Sequence, residues 1–157
     1  MSGTLRSVDG GSAVRLTVFR SLDFHHRPTD SLRTRARAEL GAELPDGYLR
    51  FLGMTNGMSS NGLVVYAFAT GLLVGHADRV LEGLVEANLA WRDHPGHDRF
   101  VFFAEGETSR YAFDQGTSEY QILDHQTDTL IDVVGSFDHL LLAALESHRP
   151  HSSPRAN

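Results

Sequence analysis

Residues 100–124 read FVFFAEGETSRYAFDQGTSEYQILD and carry the clearest structural pattern in this chain. It opens with a continuous apolar run, rich in aromatic and β-branched side chains, which is typical of a strand covered on both faces. After a Glu-Gly-Glu turn, polar and apolar residues alternate, with Tyr111 and Phe113 on one face. A second Gly-bearing turn leads into a third run, where Tyr120 and Ile122 share a face. Strands joined by short Gly-bearing loops predict an antiparallel meander.

Helical patterns on both sides of the meander predict the cover that its apolar face needs. The first helix is predicted over residues 31–40, with Thr29 or Asp30 as its N-cap and Gly41 at its end. Its predicted buried stripe consists of Leu32, Ala36 and Leu40.

The next segment predicts a second helix that starts at Leu44-Pro45-Asp46 and stops at Asn56-Gly57. A proline fits the first turn of a helix, and an acidic residue there complements the helix dipole. Asn and Gly tolerate the left-handed backbone that often ends a helix. The predicted buried face of this helix consists of Tyr48, Leu49, Phe51 and Leu52.

Three further elements precede the meander. A loop over residues 58–62 is predicted to lead into a strand over residues 63–68, and a third helix is predicted from Ala77 to Trp91. Asn88 falls on the buried stripe of that helix. Because a buried amide needs partners, we expect it to bond to the backbone of a neighbouring loop or strand.

After the meander, residues 130–134 predict either a last strand or a segment that crosses the sheet. Ser136 is then the expected N-cap of a closing helix. The apolar stripe of that helix consists of Phe137, Leu140, Leu141, Ala144 and Leu145. Together these elements predict an α+β fold, a single domain with a mostly antiparallel sheet covered by about four helices.

The predicted domain spans residues 25–149. Residues 1–24 form a poorly defined N-terminal segment, in which alternation of apolar and polar residues predicts an edge strand. The alternating apolar residues are Val14, Leu16 and Val18. The polar residues 150–157 predict a disordered tail.

Composition excludes several classes of protein. The chain of 157 residues has no cysteine, which excludes disulfides, thiolate metal sites and a cysteine nucleophile. No apolar run approaches the roughly 18 residues that span a bilayer, and no signal-peptide pattern is seen. We therefore expect a cytoplasmic protein without a membrane partner.

Charge is distributed unevenly along the chain. Residues 1–37 carry seven arginines against three aspartates, whereas residues 105–138 carry eight acidic residues against Arg110 alone. Nucleic acid is excluded as a partner of the acidic region, because it is bound by cationic groups. The acidic meander is therefore either a solvated face or a docking face for a cationic protein.

For a docking face, the candidate partner-binding residues are Glu105, Glu107, Asp114 and Glu119. Tyr111 and Tyr120 are candidate aromatic anchors of such a face. Their alternation with polar residues favours the other interpretation, in which both tyrosines belong to the core.

No pattern in the sequence points to a catalytic or cofactor site. His94 and His97 have the spacing of metal ligands, but they lie in a Pro-Gly loop without an obvious third ligand, so no metal site is predicted. Glu105 and Glu107 lack the surroundings of a glycosidase pair, and neither a Gly-x-Ser-x-Gly elbow nor a phosphate-binding Gly loop occurs. We expect no cofactor and no enzyme activity. An undetected active site in a pocket of converging polar groups is the alternative.

Five motifs follow one another within residues 30–146, namely LPDGYLRFLGMTNG, LVVYAF, EANLAW, FVFFAEGETSRYAFD and SFDHLLL. Their order resembles the SUKH superfamily, which contains fungal cell-wall-synthesis regulators and many bacterial immunity proteins. The residues that match the family motif are Leu44, Pro45, Tyr48, Asn56, Gly57, Asn88, Gly106, Phe113, Ser136 and Phe137. The N-terminal segment has no counterpart in the family, and Glu107 stands where the family often has a second Gly.

The resemblance implies a protein-binding domain without enzyme activity. Bacterial members are commonly immunity proteins, which neutralise polymorphic or contact-dependent toxins, often nucleases or deaminases, by direct binding. The implied partner is therefore a cognate toxin domain. The alternative is a regulatory or scaffold module that docks on a cellular enzyme, as the fungal relatives do.

Overall fold

Six antiparallel strands build the central sheet of the computed structural model, which describes residues 28–72 and 79–150. The described strands are β1 (Met58–Ser60), β2 (Leu63–Val65), β3 (Gly71–Leu72), β4 (Val80–Leu81), β5 (Phe100–Glu105), β6 (Ser109–Asp114), β7 (Glu119–Asp124) and β8 (Leu130–Val134). In the sheet they follow the order β1-β2-β5-β6-β7-β8, while β3 and β4 form a separate ribbon. Residues 100–124 are the meander β5-β6-β7, as predicted.

Helices cover both faces of this sheet. The described α-helices are α1 (Pro28–Arg35), α2 (Asp46–Met54), α3 (Leu84–Trp91) and α4 (Phe137–Ser147). We call the face of the sheet that packs against α4 the α4 face. It carries Phe103, whose ring lies 5.2 Å from that of Phe137. The opposite face packs against α3 and is called the α3 face; it carries Phe102, whose ring lies 5.9 Å from that of Trp91. The predicted fold class, α+β with a mostly antiparallel sheet under helices, is confirmed.

The first helix begins at Pro28, earlier than predicted. Thr29 and Asp30 therefore lie inside its first turn and do not cap it, which corrects the prediction. A proline suits this position, because the first turn makes no use of its missing N–H. A π-helical turn, Ala36–Leu40, continues the helix up to Gly41, whose φ is 62°. The predicted stripe is confirmed as buried at Leu32, Ala36 and Leu40.

The second helix ends at Met54, before the predicted stop at Asn56-Gly57. Asn56 Oδ1 instead accepts the N–H of Phe68 at 2.7 Å. Gly57 has a φ of 79°, and a Cβ there would lie 2.9 Å from the Val65 carbonyl oxygen. These two residues therefore join α2 to the sheet. The predicted helix face is buried at Tyr48, Leu49 and Phe51 and partly buried at Leu52.

The loop predicted over residues 58–62 is instead β1 and the turn of a hairpin. Asn61 and Gly62 have φ angles of 49° and 79°. Left-handed backbone at both positions is what a two-residue type I′ turn requires. The strand predicted over residues 63–68 is shorter than expected, because β2 ends at Val65.

The third helix begins at Leu84, not at Ala77. The prediction was wrong because Leu81 continues the apolar stripe of the helix in sequence, although it is buried from strand β4. Gly83 separates the two elements, and a Cβ there would lie 2.7 Å from the Cα of Ala69. The part of the predicted helix before residue 79 lies outside the described residues.

Asn88 bonds to backbone, as predicted. Its Nδ2 donates to the carbonyl oxygens of Leu84 and Phe102, both at 2.8 Å, and its Oδ1 accepts the N–H of Phe102 at 2.7 Å. The side chain therefore bridges α3 and strand β5.

The other residues that were matched to the family motif lie in turns, at helix caps or in the core. Gly106 is buried, and a Cβ there would lie 2.2 Å from His148 Nε2. Ser136 caps α4 as predicted, since its Oγ accepts the N–H of His139 at 3.2 Å. Pro45 is the N-cap of α2. The apolar members are buried at Leu44, Tyr48 and Phe137 and partly buried at Phe113.

The C-terminal run forms a strand rather than a crossing segment. This strand, β8, is the outer strand of the sheet and packs beside β7. The predicted edge strand within residues 1–24 lies outside the described residues. The same holds for the predicted tail 150–157, apart from an exposed Pro150.

Candidate functional site

The structure divides the four predicted partner-binding carboxylates between opposite ends of the sheet. Because β5 and β6 are antiparallel, Glu105 and Asp114 lie at opposite ends of this strand pair. Glu107 follows Glu105 in the turn, and Glu119 is paired with Asp114. Five residue steps of about 3.3 Å put roughly 16 Å between the two ends. The four side chains therefore do not form one cluster.

Asp114 is buried, which corrects its assignment to a binding face. Only 1% of the residue is exposed, and its carboxylate accepts hydrogen bonds from Arg99 Nε at 3.0 Å and from the Gly116 N–H at 2.8 Å. Burial alone raises the pKa of Asp114, but these two donors outweigh it and hold that pKa below its usual value. Arg110 lies on the same face of β6 and is also buried, and Tyr111 is buried on the opposite face, so β6 is covered on both faces.

Replacing Asp114 by Asn is expected to destabilise the protein at neutral pH and to matter less in acid. The folded pKa lies below the unfolded value of about 3.9. The stabilisation is therefore complete above the unfolded pKa and is lost as pH falls through the folded pKa. Urea unfolding of the wild type and Asp114→Asn at several pH values measures this difference, with exposed Asp93→Asn as the control. A difference that stays constant down to low pH would contradict this role.

Half of the eight acidic residues in residues 105–138 have a cationic or histidine neighbour within the domain. The acidic residues with a cationic or histidine neighbour are Glu105 (His125), Asp114 (Arg99), Asp128 (Arg110 and His97) and Asp138 (Arg50). Asp124 instead accepts the N–H of Thr127 in its turn, which lowers the pKa of Asp124. Among the described residues, the members of this region without an ion pair are Glu107, Glu119, Asp124 and Asp132.

The two candidate tyrosine anchors differ in their placement. The ring of Tyr111 is buried in the core, which confirms the core interpretation for this residue. Tyr120 is half-buried, with its ring 4.9 Å from that of Phe113. Burial and then the charge of Asp138 raise the pKa of Tyr120. Tyr120 also lines a surface depression of about 210 Å³ between the starts of α2 and α4.

A polar cluster on the α3 face, in which His97 and Arg110 are buried and Asp128 is exposed, was not predicted. His97 Nε2 donates to Asp128 Oδ2 at 2.7 Å, and Arg110 Nη1 donates to Asp128 Oδ1 at 2.6 Å. The Arg110 guanidinium carbon lies 4.1 Å from the centroid of the Trp91 ring, within the range of a cation–π contact. No local sequence pattern marks this cluster, because its members come from four separate segments of the chain.

The cluster lacks the geometry of a catalytic triad. A His–Asp pair acts in catalysis when the histidine also contacts a nucleophile. The rings around His97 are those of Trp91, His94 and Phe102, and His97 Nδ1 has no hydrogen-bond partner among the described residues. The arrangement therefore ties the turn at Asp128 to β6, and among the described residues His97 has no hydrogen bond to a nucleophile.

Metal ligation by the two loop histidines finds no support in the geometry. The rings of His94 and His97 are 5.5 Å apart. Within residues 28–72 and 79–150, no group of three or more His, Asp or Glu side chains is arranged to hold a metal ion.

The exposed apolar surface of β8 is the feature that sequence reasoning missed. Leu130, Ile131 and Val133 are 50%, 56% and 43% exposed, and we call these three residues the β8 edge patch. Leu130 pairs with Leu123 and Val133 with Gln121, so both lie on the α3 face, beyond the cover of α3. An apolar strand with exposed side chains has the same sequence pattern as a buried strand. Only its place at the sheet edge shows that its side chains are uncovered.

Asp132 lies in the middle of β8 and faces the other way. It pairs with Ile122, which places it on the α4 face. Its Oδ1 accepts the N–H of Val133 at 2.8 Å. Glu119 begins the adjacent strand, so two of the four carboxylates without an ion pair, Glu119 and Asp132, lie near this edge.

A scan against protein-family models finds no match, and a search of curated proteins finds no similar sequence. The family resemblance therefore stays a prediction. In the described part of the chain, no helix has both the length and the apolar character to cross a membrane.

Proposed function

We propose that this chain is a non-enzymatic protein-binding domain of SUKH type, and that it acts as a bacterial immunity protein. The observation that carries the protein-binding part is the β8 edge patch. Its three apolar side chains come from four consecutive residues, are about half exposed and belong to an outer strand. Contiguous exposed apolar surface with a polar rim is characteristic of protein-interaction sites.

The surroundings of the patch favour a cationic protein as the partner. Glu119 begins the adjacent strand, Asp132 lies within β8 on its other face, and neither forms an ion pair among the described residues. Anionic groups at the rim of an interface speed the encounter with a positively charged protein. A nuclease or deaminase toxin, which holds nucleic acid with basic groups, has the complementary charge.

The proposed activity is neutralisation of such a toxin by direct binding in the cytoplasm. The order of motifs in residues 30–146 supports it through the resemblance to immunity proteins. Glu105 and Glu107 lie at the far end of the β5–β6 pair from Glu119, so they would extend the acidic rim and would not form its centre.

Co-expression tests this function. The toxin domain encoded next to this gene is expressed in bacteria with and without the chain. We expect growth to be restored by the chain and the two proteins to purify together. Continued killing with no co-purification would refute the immunity role, and recovery of the chain with a housekeeping enzyme would instead favour a regulatory or scaffold module.

A further inference from the structure

The main chain of β8 is open on one side. β8 ends the order of the six-stranded sheet and has no second neighbour among the described strands. An edge strand presents a row of N–H and C=O groups with which another extended chain can pair. Pairing here would also bring the apolar side chains of the β8 edge patch next to those of the added strand.

We propose that the β8 edge binds an extended strand of the partner protein, with a basic side chain opposite Asp132. This inference rests on the proposed function and specifies the chemistry of the partner segment. The residue opposite Asp132 on an added strand would have its Cβ about 5 Å from that of Asp132. Because Asp132 has no ion pair among the described residues, an arginine or lysine there meets a carboxylate that is not yet neutralised.

A second copy of this chain is a poor occupant of the same edge. In the two-fold antiparallel register that pairs the whole of β8, Leu130 faces Val134 and the two Asp132 carboxylates face each other. Like charges directly opposite destabilise a strand pair. The neighbouring two-fold registers set Asp132 against Leu130 or Val134 and shorten the pairing. The charge of Asp132 therefore selects against self-association and for a basic partner.

Two local features protect this edge from unspecific pairing. Ile131 is the extra residue of a β-bulge, since Asp132 pairs with Ile122 and Leu130 with Leu123. Asp132 supplies a charge in the middle of the strand and accepts the Val133 N–H. Bulges and charged side chains are common protections of edge strands. A strand with a basic residue opposite Asp132 can still pair with this edge.

Two synthetic peptides test the inference with the full chain. Both consist of alternating valine and threonine, with one central arginine or one central glutamate. We expect the arginine peptide to shift the NMR amide signals of β8, to protect β8 amides from hydrogen exchange, and to bind about tenfold more tightly than the glutamate peptide. Equal binding of the two peptides, or no protection of β8, would overturn the inference.

A charge swap provides the control. Asp132→Lys is expected to reverse the order of affinity of the two peptides, whereas Asp93→Lys, at an exposed acid that is not part of β8, leaves it unchanged. An Asp132→Lys variant that still prefers the arginine peptide also refutes the inference. If the chain neutralises the toxin but neither peptide contacts β8, strand pairing is wrong and the proposed function stands. If the peptides pair with β8 but the chain does not neutralise the toxin, the strand-pairing inference stands and the proposed function is wrong.

Discussion

Asn88→Leu is expected to lower the free energy of unfolding by about 4 kcal/mol, since two buried main-chain groups each lose a partner at about 1–3 kcal/mol. Asn88 is 1% exposed and bonds to both the N–H and the carbonyl oxygen of Phe102. Leucine has a similar volume and a better helix propensity, so loss of these hydrogen bonds dominates the effect.

The position of Asn88 explains why these bonds are needed. Val65 of β2 pairs with Ala104 of β5, and Tyr66 still donates to the Phe103 carbonyl oxygen at 2.9 Å. The chain then leaves β5, because the next residue, Ala67, bonds to Glu82 and Leu84 instead. The Asn88 amide takes the place of the missing strand residue beside Phe102. Without it, the N–H and carbonyl of Phe102 stay buried and unsatisfied.

Urea unfolding measures this prediction, with Leu89→Ala as the matched control. Leu89 is the next residue of the same helix and is exposed, so its replacement should change stability by no more than about 0.5 kcal/mol. A loss below about 1 kcal/mol for Asn88→Leu would show that Phe102 finds other partners.

Ile131→Ser combined with Val133→Ser is expected to weaken toxin binding about 30-fold. Covering the exposed parts of these two side chains contributes about 1 kcal/mol each, or about 2 kcal/mol together, which corresponds to that factor. Folding should change little, because both side chains already face solvent. Calorimetric titration with the purified toxin domain gives the affinity, and circular dichroism checks the fold.

Leu142→Ser is the matched control for the double variant. Leu142 lies on α4 and is 50% exposed, a fraction similar to those of the residues in the β8 edge patch. If its replacement weakens binding as much as the double variant does, the partner covers a different or larger surface. If the double variant binds like the wild type, the β8 edge patch is not the interface.

The central elements of the fold were predictable because they depend on local pattern. The meander follows from alternation and Gly-bearing turns in residues 100–124. The stripe of α4 and its Ser136 cap follow from helical spacing. Even the backbone bonding of Asn88 follows from its place on a buried helix face.

The errors arise where distant segments decide the outcome. Leu81 continues a helical stripe in sequence, but the helix begins only after Gly83, which packs against Ala69. Asp114 belongs to an acidic run, yet it is buried in the sheet and accepts a hydrogen bond from Arg99. The hairpin turn at Asn61-Gly62 is an exception, since that dipeptide is a local signal that predicts a type I′ turn.

The candidate site was predictable only in its charge. The acidic excess of residues 105–138 is evident in the sequence, but the pairing of three of its eight acids with Arg50, Arg99 and Arg110 depends on tertiary contacts. The exposed state of β8 depends on its being the last strand of the sheet. Of the predicted carboxylates, Glu119 lies near this edge, Glu105 and Glu107 lie apart from it, and Asp114 is buried.

Direct mixing of the purified chain with its proposed partner, a toxin domain encoded by a neighbouring gene, tests the proposed neutralising protein–protein complex. Light scattering coupled to size-exclusion chromatography gives the composition of any complex, and an assay of the toxin's catalytic activity is run on the same sample. We predict a stable complex of defined stoichiometry in which the toxin is inactive. Separate elution of the two proteins at micromolar concentration, with the toxin fully active, would contradict the claim.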